Sequence, residues 1–338
     1  MTLEDLRLDI DKIDMKITSL LNQRIEKALL TKKLKKTIED TSRETLVLDK
    51  IRHSSHCLLE PDFAEGLYKT IISETKRIQA TDQRTIGFQG EHGAYSEVAA
   101  RALYPSGAMI PCREFTDVFD MIEEGLIDCG IVPVENTLGG LVGPVNSILI
   151  YTHLKIIAAI DMPVRHCLLC VPGADHRELR QVRSHTQALS QCRNFIARNR
   201  LEPQQHYDTA GSARDLAELR PKGVAAIASK LCADLYGLEI IKEDIQDSLH
   251  NRTRFFVLSM DEDDQDGDRC SAVFTAGDKA GSLFAVLSVF AKASINLTRI
   301  ESVPDKPGTY AIFIDFEGSI KDPRVEAAVK AVSAMAED

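Results

Sequence analysis

Thr85-Ile86-Gly87-Phe88 runs into Gly90-Glu91-His92-Gly93-Ala94-Tyr95-Ser96 and then into a helical pattern over 96–103. An apolar run, a glycine turn and a helix make one βα unit, in which polar residues and backbone N–H groups collect at the strand's C-terminal end. The unit recurs. Residues 129–132, 155–160, 167–171 and 225–227 read as strands, and 116–124, 188–198 and 212–219 as helices between them. Alternation of this kind implies a mostly parallel sheet with helices on both faces. The span 84–260 suits two such α/β lobes with a ligand cleft where strand ends converge. The turn is not a nucleotide fingerprint, because its G-x-x-G lacks a third glycine and a following Lys.

The flanks have a different texture. Residues 1–80 contain one glycine, Gly66, and one proline, Pro61, and Leu6, Ile10, Ile13, Ile17 and Leu20 advance by steps of three and four. That is a helix packed along one seam, expected over 3–37, with further helices over 43–58 and 61–79. At ~1.5 Å per residue the first is a rod of about 50 Å, too long to bury its seam inside one small bundle. A dimer of helical hairpins is the expected solution. Residues 261–268 place six acids in eight positions and read as a solvated linker. The remainder, 270–338, has the order β-α-β-β-α over 272–275, 282–293, 296–303, 310–316 and 324–336, a ferredoxin-like α+β order lacking its last strand. The expected domains are therefore 1–80, 84–260 and 270–338.

The 338 residues carry 41 Lys+Arg against 51 Asp+Glu, a net charge of −10, so the cationic footprint of a nucleic-acid binder is missing. No apolar run approaches the ~20 residues that span a bilayer. Met1-Thr2-Leu3-Glu4-Asp5 is no basic-then-apolar export signal, and a cytosolic location is expected. Cys167 and Cys170 form a C-x-x-C, but residues three apart on a strand point to opposite faces. No structural metal is indicated, and the eight cysteines read as reduced thiols.

Charge sits where the helical seam should be apolar. The heptad from Ile17 lands on Arg24, and Lys35 lies eleven residues further, about 20° away around the helix. In the third helix Tyr68 plus seven is Thr75, and Ile72 plus seven is Gln79. For any one such residue, snorkelling of a long side chain to water is the other reading. Together they describe a clamp for a small dianion. Arg7 lies about 100° from Arg24 and could join only from a partner's helix. Residues 1–80 resemble the all-helical chorismate mutase family, whose pattern falls on Arg7, Arg24, Lys35, Asp40, Arg43, Glu44, Thr75 and Gln79. The resemblance implies a domain-swapped dimer that binds chorismate through these residues and rearranges it to prephenate without a cofactor. Lys35, Gln79 and Glu44 would stand at the reacting atoms. The five-residue step from Lys35 to Asp40 is shorter than the family loop.

In 84–258, polar residues follow strands at Val132-Pro133-Val134-Glu135-Asn136-Thr137, at Ser184-His185 with Gln187 to Gln191, and at Asp208-Thr209-Ala210-Gly211-Ser212. Asn251-Arg252-Thr253-Arg254-Phe255 leads into a further strand. Each alone is as well read as a helix cap. In order, they resemble prephenate dehydratase, a two-lobed fold like the periplasmic binding proteins. The implied reaction converts prephenate to phenylpyruvate with loss of carbon dioxide and the ring hydroxyl. Thr253 would sit at that hydroxyl as a hydrogen-bond donor or relay. Glu135, Asn136, Thr137, Ser184, Gln191 and Thr209 would line the cleft. Arg254, pointing the opposite way along the strand, is either structural or a carboxylate contact. His185 is as well suited to capping as to proton transfer.

Residues 270–338 resemble an ACT regulatory domain through Gly281-Ser282-Leu283 and Ile295-Asn296-Leu297-Thr298 with Ile300-Glu301-Ser302; Val303 stands where the family has Arg. The resemblance implies phenylalanine bound by Gly281, Ser282, Leu283, Asn296, Leu297, Glu301 and Ser302, in a homodimer or dimer of dimers. Two rivals to the bifunctional enzyme are a dehydratase whose helical arm only dimerises, and a two-lobed ligand sensor that consumes nothing.

Overall fold

The computed structural model describes residues 2–35, 37–54, 58–261, 267–275, 280–304 and 309–335. The chain divides into two compact units, 1–131 with 162–252, and 132–161 with 253–338.

The first unit opens with α1 (Leu3–Leu34), α2 (Thr41–Ser54) and α3 (Pro61–Ala80). Thr2 and Asp5 form a reciprocal capping box at the start of α1, satisfying two amides that the helix leaves open. The helix ends earlier than its periodicity suggests. Lys35 is its C-cap with an extended backbone, so Lys35 is not on the helical face of Arg24 as the eleven-residue spacing implied. Asp40 starts α2 by accepting from the Arg43 amide and the Ser42 hydroxyl. Leu6, Ile10, Ile13, Ile17 and Leu20 remain 44–63% exposed in the single chain.

Next come β1 (Thr85–Gln89), α4 (Tyr95–Leu103), β2 (Ala108–Cys112), α5 (Phe115–Glu123) and β3 (Cys129–Asn136). β1 pairs in parallel with β2 and with the start of β3. Gly87 and Gly130 are neighbours across β1 and β3. A Cβ on Gly87 would meet Ile127 at 2.4 Å, and one on Gly130 would meet Val118 of α5 at 2.4 Å. The bare backbone lets the helix settle against the sheet.

β3 passes into the second unit, followed by β4 (Gly140–Leu141), α6 (Gly143–Leu149) and β5 (Lys155–Pro163). The first unit resumes with β6 (Cys167–Cys170), β7 (Gln181–Ser184), α7 (Thr186–Gln191), α8 (Arg193–Arg198), β8 (Glu202–Gln205), α9 (Thr209–Leu219), β9 (Val224–Ala228), α10 (Lys230–Tyr236) and β10 (Glu239–Lys242). This second sheet has the order β10-β6-β9-β7-β8. It is more mixed than expected, because β6 runs antiparallel to both β9 and β10, while β7 is parallel to β8 and β9. The helix expected over 188–198 is broken at Cys192, which leaves α-helical geometry at φ −116° and ψ 20°. Ala213, Leu216, Ala226, Ala228 and Cys232 form one core layer between this sheet and its helices.

β11 (Arg252–Ser259) follows β3 in the first sheet and lies next to β5. The C-terminal module has β12 (Arg269–Thr275), α11 (Ser282–Lys292), β13 (Leu297–Pro304), β14 (Tyr310–Glu317) and α12 (Pro323–Ser333). Its described sheet is β12-β14-β13, antiparallel throughout, with Phe274, Val286, Phe290, Ile314, Phe316 and Val325 in the core. The acidic stretch read as a linker lies largely outside the described residues.

The seven described cysteines are free, six of them buried. Burial pushes the thiols of Cys167 and Cys170 up to about 11. Among the described residues, Cys170, His176 and Glu239 bring donor atoms within 4.8 Å of one another. His176 and Glu239 both lie outside the C-x-x-C, Glu239 on another strand, which is why that spacing did not point to them.

Candidate functional site

Arg24 leans from α1 onto α3, where its Nη1 donates to the Thr75 hydroxyl at 2.7 Å. The Gln79 amide donates to the Ala28 carbonyl at 2.5 Å. Thr75 and Gln79 are both buried, so the two seam positions of α3 present polar groups inward. Lys35 is exposed and pairs with Asp40 at 3.4 Å. Backbone and hydroxyl donors from Arg43 and Ser42 hold the Asp40 carboxyl below the usual carboxylate range. Glu44 pairs with Lys76 rather than with its neighbour Arg43, which is exposed. Arg7 is exposed about 26 Å along α1 from Arg24, at ~1.5 Å per residue. One chain therefore assembles Arg24, Thr75 and Gln79, and leaves Arg7, Lys35 and Arg43 at its surface.

In the second unit, the end of β3 meets the start of β11. The Asn136 amide nitrogen donates to the Thr253 hydroxyl at 2.9 Å. Asn136 cannot easily flip, because its oxygen accepts from the backbone amides of Leu138 and Gly139 at 3.0 and 2.7 Å. That turn is the reason a polar residue closes an otherwise apolar strand. With one lone pair of Thr253 Oγ1 filled by Asn136, the hydroxyl keeps its proton for a different partner. Thr253 and Asn136 are each 8% exposed, a dry setting in which such a donor is strong. Arg254, next on β11, bonds instead to Asp315 of β14. Glu135 is at 4.0 Å from Arg299 of β13.

In the first unit, Gln191 is tied to two other elements. Its side-chain oxygen accepts from the Asn251 amide at 3.0 Å and lies 2.8 Å from His166 Nε2. Nδ1 of His166 is 2.9 Å from the Tyr95 hydroxyl. Burial lowers the pKa of His166, so the ring is neutral near pH 7, while the Tyr95 hydroxyl donates to the Arg165 carbonyl at 2.6 Å. Ser184, expected to line the cleft, is wholly buried and its hydroxyl donates to the Ile227 carbonyl at 2.7 Å. It joins β7 to β9 instead, because a hydroxyl on a central strand must find a partner inside the sheet. His185 caps α7 by accepting from the Gln187 amide, and Thr209 opens α9 behind the cap Asp208.

The glycine turn has its own anion. The Gly93 amide donates to the Glu97 carboxylate at 2.6 Å, and a Cβ at Gly93 would meet Cys232 Sγ at 2.4 Å. With φ at +92°, only glycine suits this position. His92 lies between Glu97 Oε2 at 3.2 Å and Glu26 of α1 at 3.0 Å. Burial opposes its charge, but hydrogen bonds to Glu26 and Glu97 prevail and raise its pKa to about 9. A raised histidine pKa stabilises the fold fully below its ordinary value of 6.5 and ceases to as pH rises through about 9. Between those limits the chain is expected to lose on the order of 2 kcal/mol, after discounting for partial solvent access. Thermal unfolding of His92→Gln across pH 6–10 should be the flatter profile; equal slopes for both proteins refute the assignment.

In the C-terminal module Gly281 takes φ +92° as the cap of α11, and Gly281, Leu283, Asn296 and Ser302 are exposed.

The prephenate dehydratase family matches residues 86–263, over half of the chain. The chain belongs to the prephenate dehydratase family. Chorismate mutase type II matches residues 6–80 and the ACT domain residues 271–334, so the dehydratase domain lies between a mutase and a regulatory module. The chain is 35% identical over 305 residues to an arogenate dehydratase/prephenate dehydratase of Arabidopsis thaliana, covering 86% of this chain and 78% of that one. It is similar to a prephenate dehydratase from Arthrobacter aurescens solved with L-Phe, at TM-score 0.68 and 28% identity over 75% of this chain and 86% of that one. It is also similar to GqqA, described as a novel type of quorum quenching acylase, at TM-score 0.70 and 31% identity over 75% and 95%.

The motifs singled out Asn136, Thr253 and Gln191, which the structure places in side-chain hydrogen bonds. His166, Asn146, Arg299 and Asp315, which meet motif residues in the structure, were not singled out. His166 had a signal, a histidine opening an apolar strand, whereas Arg299 and Asp315 sit in strands of another module and only the fold brings them near Arg254.

Proposed function

We propose that this chain is a bifunctional enzyme that rearranges chorismate to prephenate and then converts prephenate to phenylpyruvate. The observation that carries the second step is the fixed Asn136–Thr253 pair at the ends of β3 and β11. Loss of the ring carboxylate as carbon dioxide leaves electrons that aromatise the ring as hydroxide departs. Thr253 donates a hydrogen bond to that departing oxygen, and Asn136 holds Thr253 for the task. Arg24, Thr75 and Gln79 support the first step, gripping a carboxylate and the ether oxygen of chorismate. The exposed seam of α1 supports a homodimer in which the partner supplies Arg7 to this pocket. The ACT match and the L-Phe-bound relative support phenylalanine as an inhibitor, for which Gly281 and Asn296 are the candidate contacts. Free buried thiols support a reducing compartment, the cytosol.

Supplying chorismate to the full chain should yield transient prephenate and then phenylpyruvate, with phenylalanine slowing the second step. Arogenate, the amino analogue of prephenate, is the comparison substrate for specificity. Prephenate bound but never consumed would leave a ligand sensor.

A further inference from the structure

Arg254 and Glu135 belong to the two motifs that frame Thr253, and both are engaged by side chains of the ACT sheet. Asp315 on β14 is 1% exposed and accepts from Arg254 Nη1. Arg299 on β13 is 5% exposed; its Nε is 4.0 Å from Glu135 Oε2 and its Nη1 is 4.0 Å from Asp315 Oδ2. Its Nη2 donates to Asn146 at 3.2 Å, and Asn146 in turn donates to the Val134 carbonyl of β3 at 2.9 Å. Nε and Nη1 of Arg299 have no hydrogen-bond partner among the described residues. One buried carboxylate thus serves two cations, and Arg299 meets it at ion-pair distance with no hydrogen bond between them. Such an arrangement fixes Arg254 firmly and Arg299 loosely, since direct bonds hold position and a 4 Å gap does not.

We propose that Asp315 is a positioning residue of the dehydration site: by holding Arg254 it fixes the strand that carries Thr253, and Arg299 connects the same carboxylate to Glu135. The inference rests on the dehydratase reading above. It makes the ACT sheet part of the apparatus that places the reacting hydroxyl. Asp315 touches no substrate; it acts through Arg254, one residue from Thr253. Because Asn296 and Leu297 precede Arg299 on the same chain segment, a shift of β13 toward or away from its partners reaches Thr253 through two side chains.

The test uses the full-length chain, with mutase turnover as the internal control. Asp315→Asn is expected to lower the dehydration kcat at least tenfold, with the KM for prephenate changed less than threefold and chorismate turnover unchanged. Asp315→Glu, which keeps the charge, should recover most of the loss, and Asp315→Asn combined with Arg254→Lys should be little worse than the worse single variant. A wild-type kcat for Asp315→Asn, or a loss seen only in KM, overturns the proposal. If Asp315→Asn loses both activities through misfolding, Asp315→Glu with Arg254→Lys decides: multiplicative effects on kcat overturn it, non-multiplicative effects support it. Absence of dehydration in the unaltered chain would instead overturn the functional reading.

Discussion

Thr253→Ala is expected to reduce the dehydration kcat about a hundredfold or more, the low end of what a positioned proton donor contributes. The chain should then accumulate prephenate when given chorismate. The substitution removes a group that accepts from Asn136 and still has a proton to give. Its structural penalty is modest, on the order of 1–2 kcal/mol for one buried hydroxyl and the amide it leaves without that acceptor. Loss of rate should therefore far exceed loss of stability. Thr253→Ser keeps the oxygen and should stay within about tenfold of the parent. Steady-state kinetics on prephenate with both variants checks this; an alanine variant of undiminished kcat removes Thr253 from the mechanism.

Arg24→Ala is the complementary case. A half-buried guanidinium that grips a carboxylate contributes roughly 2–5 kcal/mol, so chorismate kcat/KM should fall about thirtyfold to several thousandfold. Dehydration of prephenate should be unchanged. The local structure tolerates the change, because the Thr75 hydroxyl still donates to the Ile71 carbonyl at 2.7 Å once Arg24 is gone. Intact chorismate turnover in this variant would reduce the helical domain to a dimerisation arm.

How much of this could be read from the sequence depended on whether a feature is local. The βα units were legible because a strand, a glycine turn and a helix lie consecutively, and β1, α4 and α5 fall within a residue or two of their expected bounds. β2, α6, α10 and β10 gave weaker patterns. β10 pairs antiparallel with β6, a relation set by tertiary contact and invisible to periodicity. Within the site, Thr253 and Asn136 were legible as motif residues, but their bond spans 117 positions. Ser184 shows the opposite case: a hydroxyl after a strand suggested a ligand contact, and its hydrogen bond goes to the sheet interior. Lys35 failed for a simpler reason. An angular argument holds only while the helix continues, and α1 stops at Leu34.

The turn after β3 fixes the Asn136 carboxamide through two main-chain amides whether or not a substrate has arrived. The donor that orients Thr253 is thus built into the resting enzyme, and no part of the affinity for substrate is diverted to assembling it. Stabilisation reserved in this way for the moment of bond cleavage acts on turnover more than on occupancy. Inert mimics of the departing hydroxyl should consequently gain less from this corner of the protein than the reaction itself does.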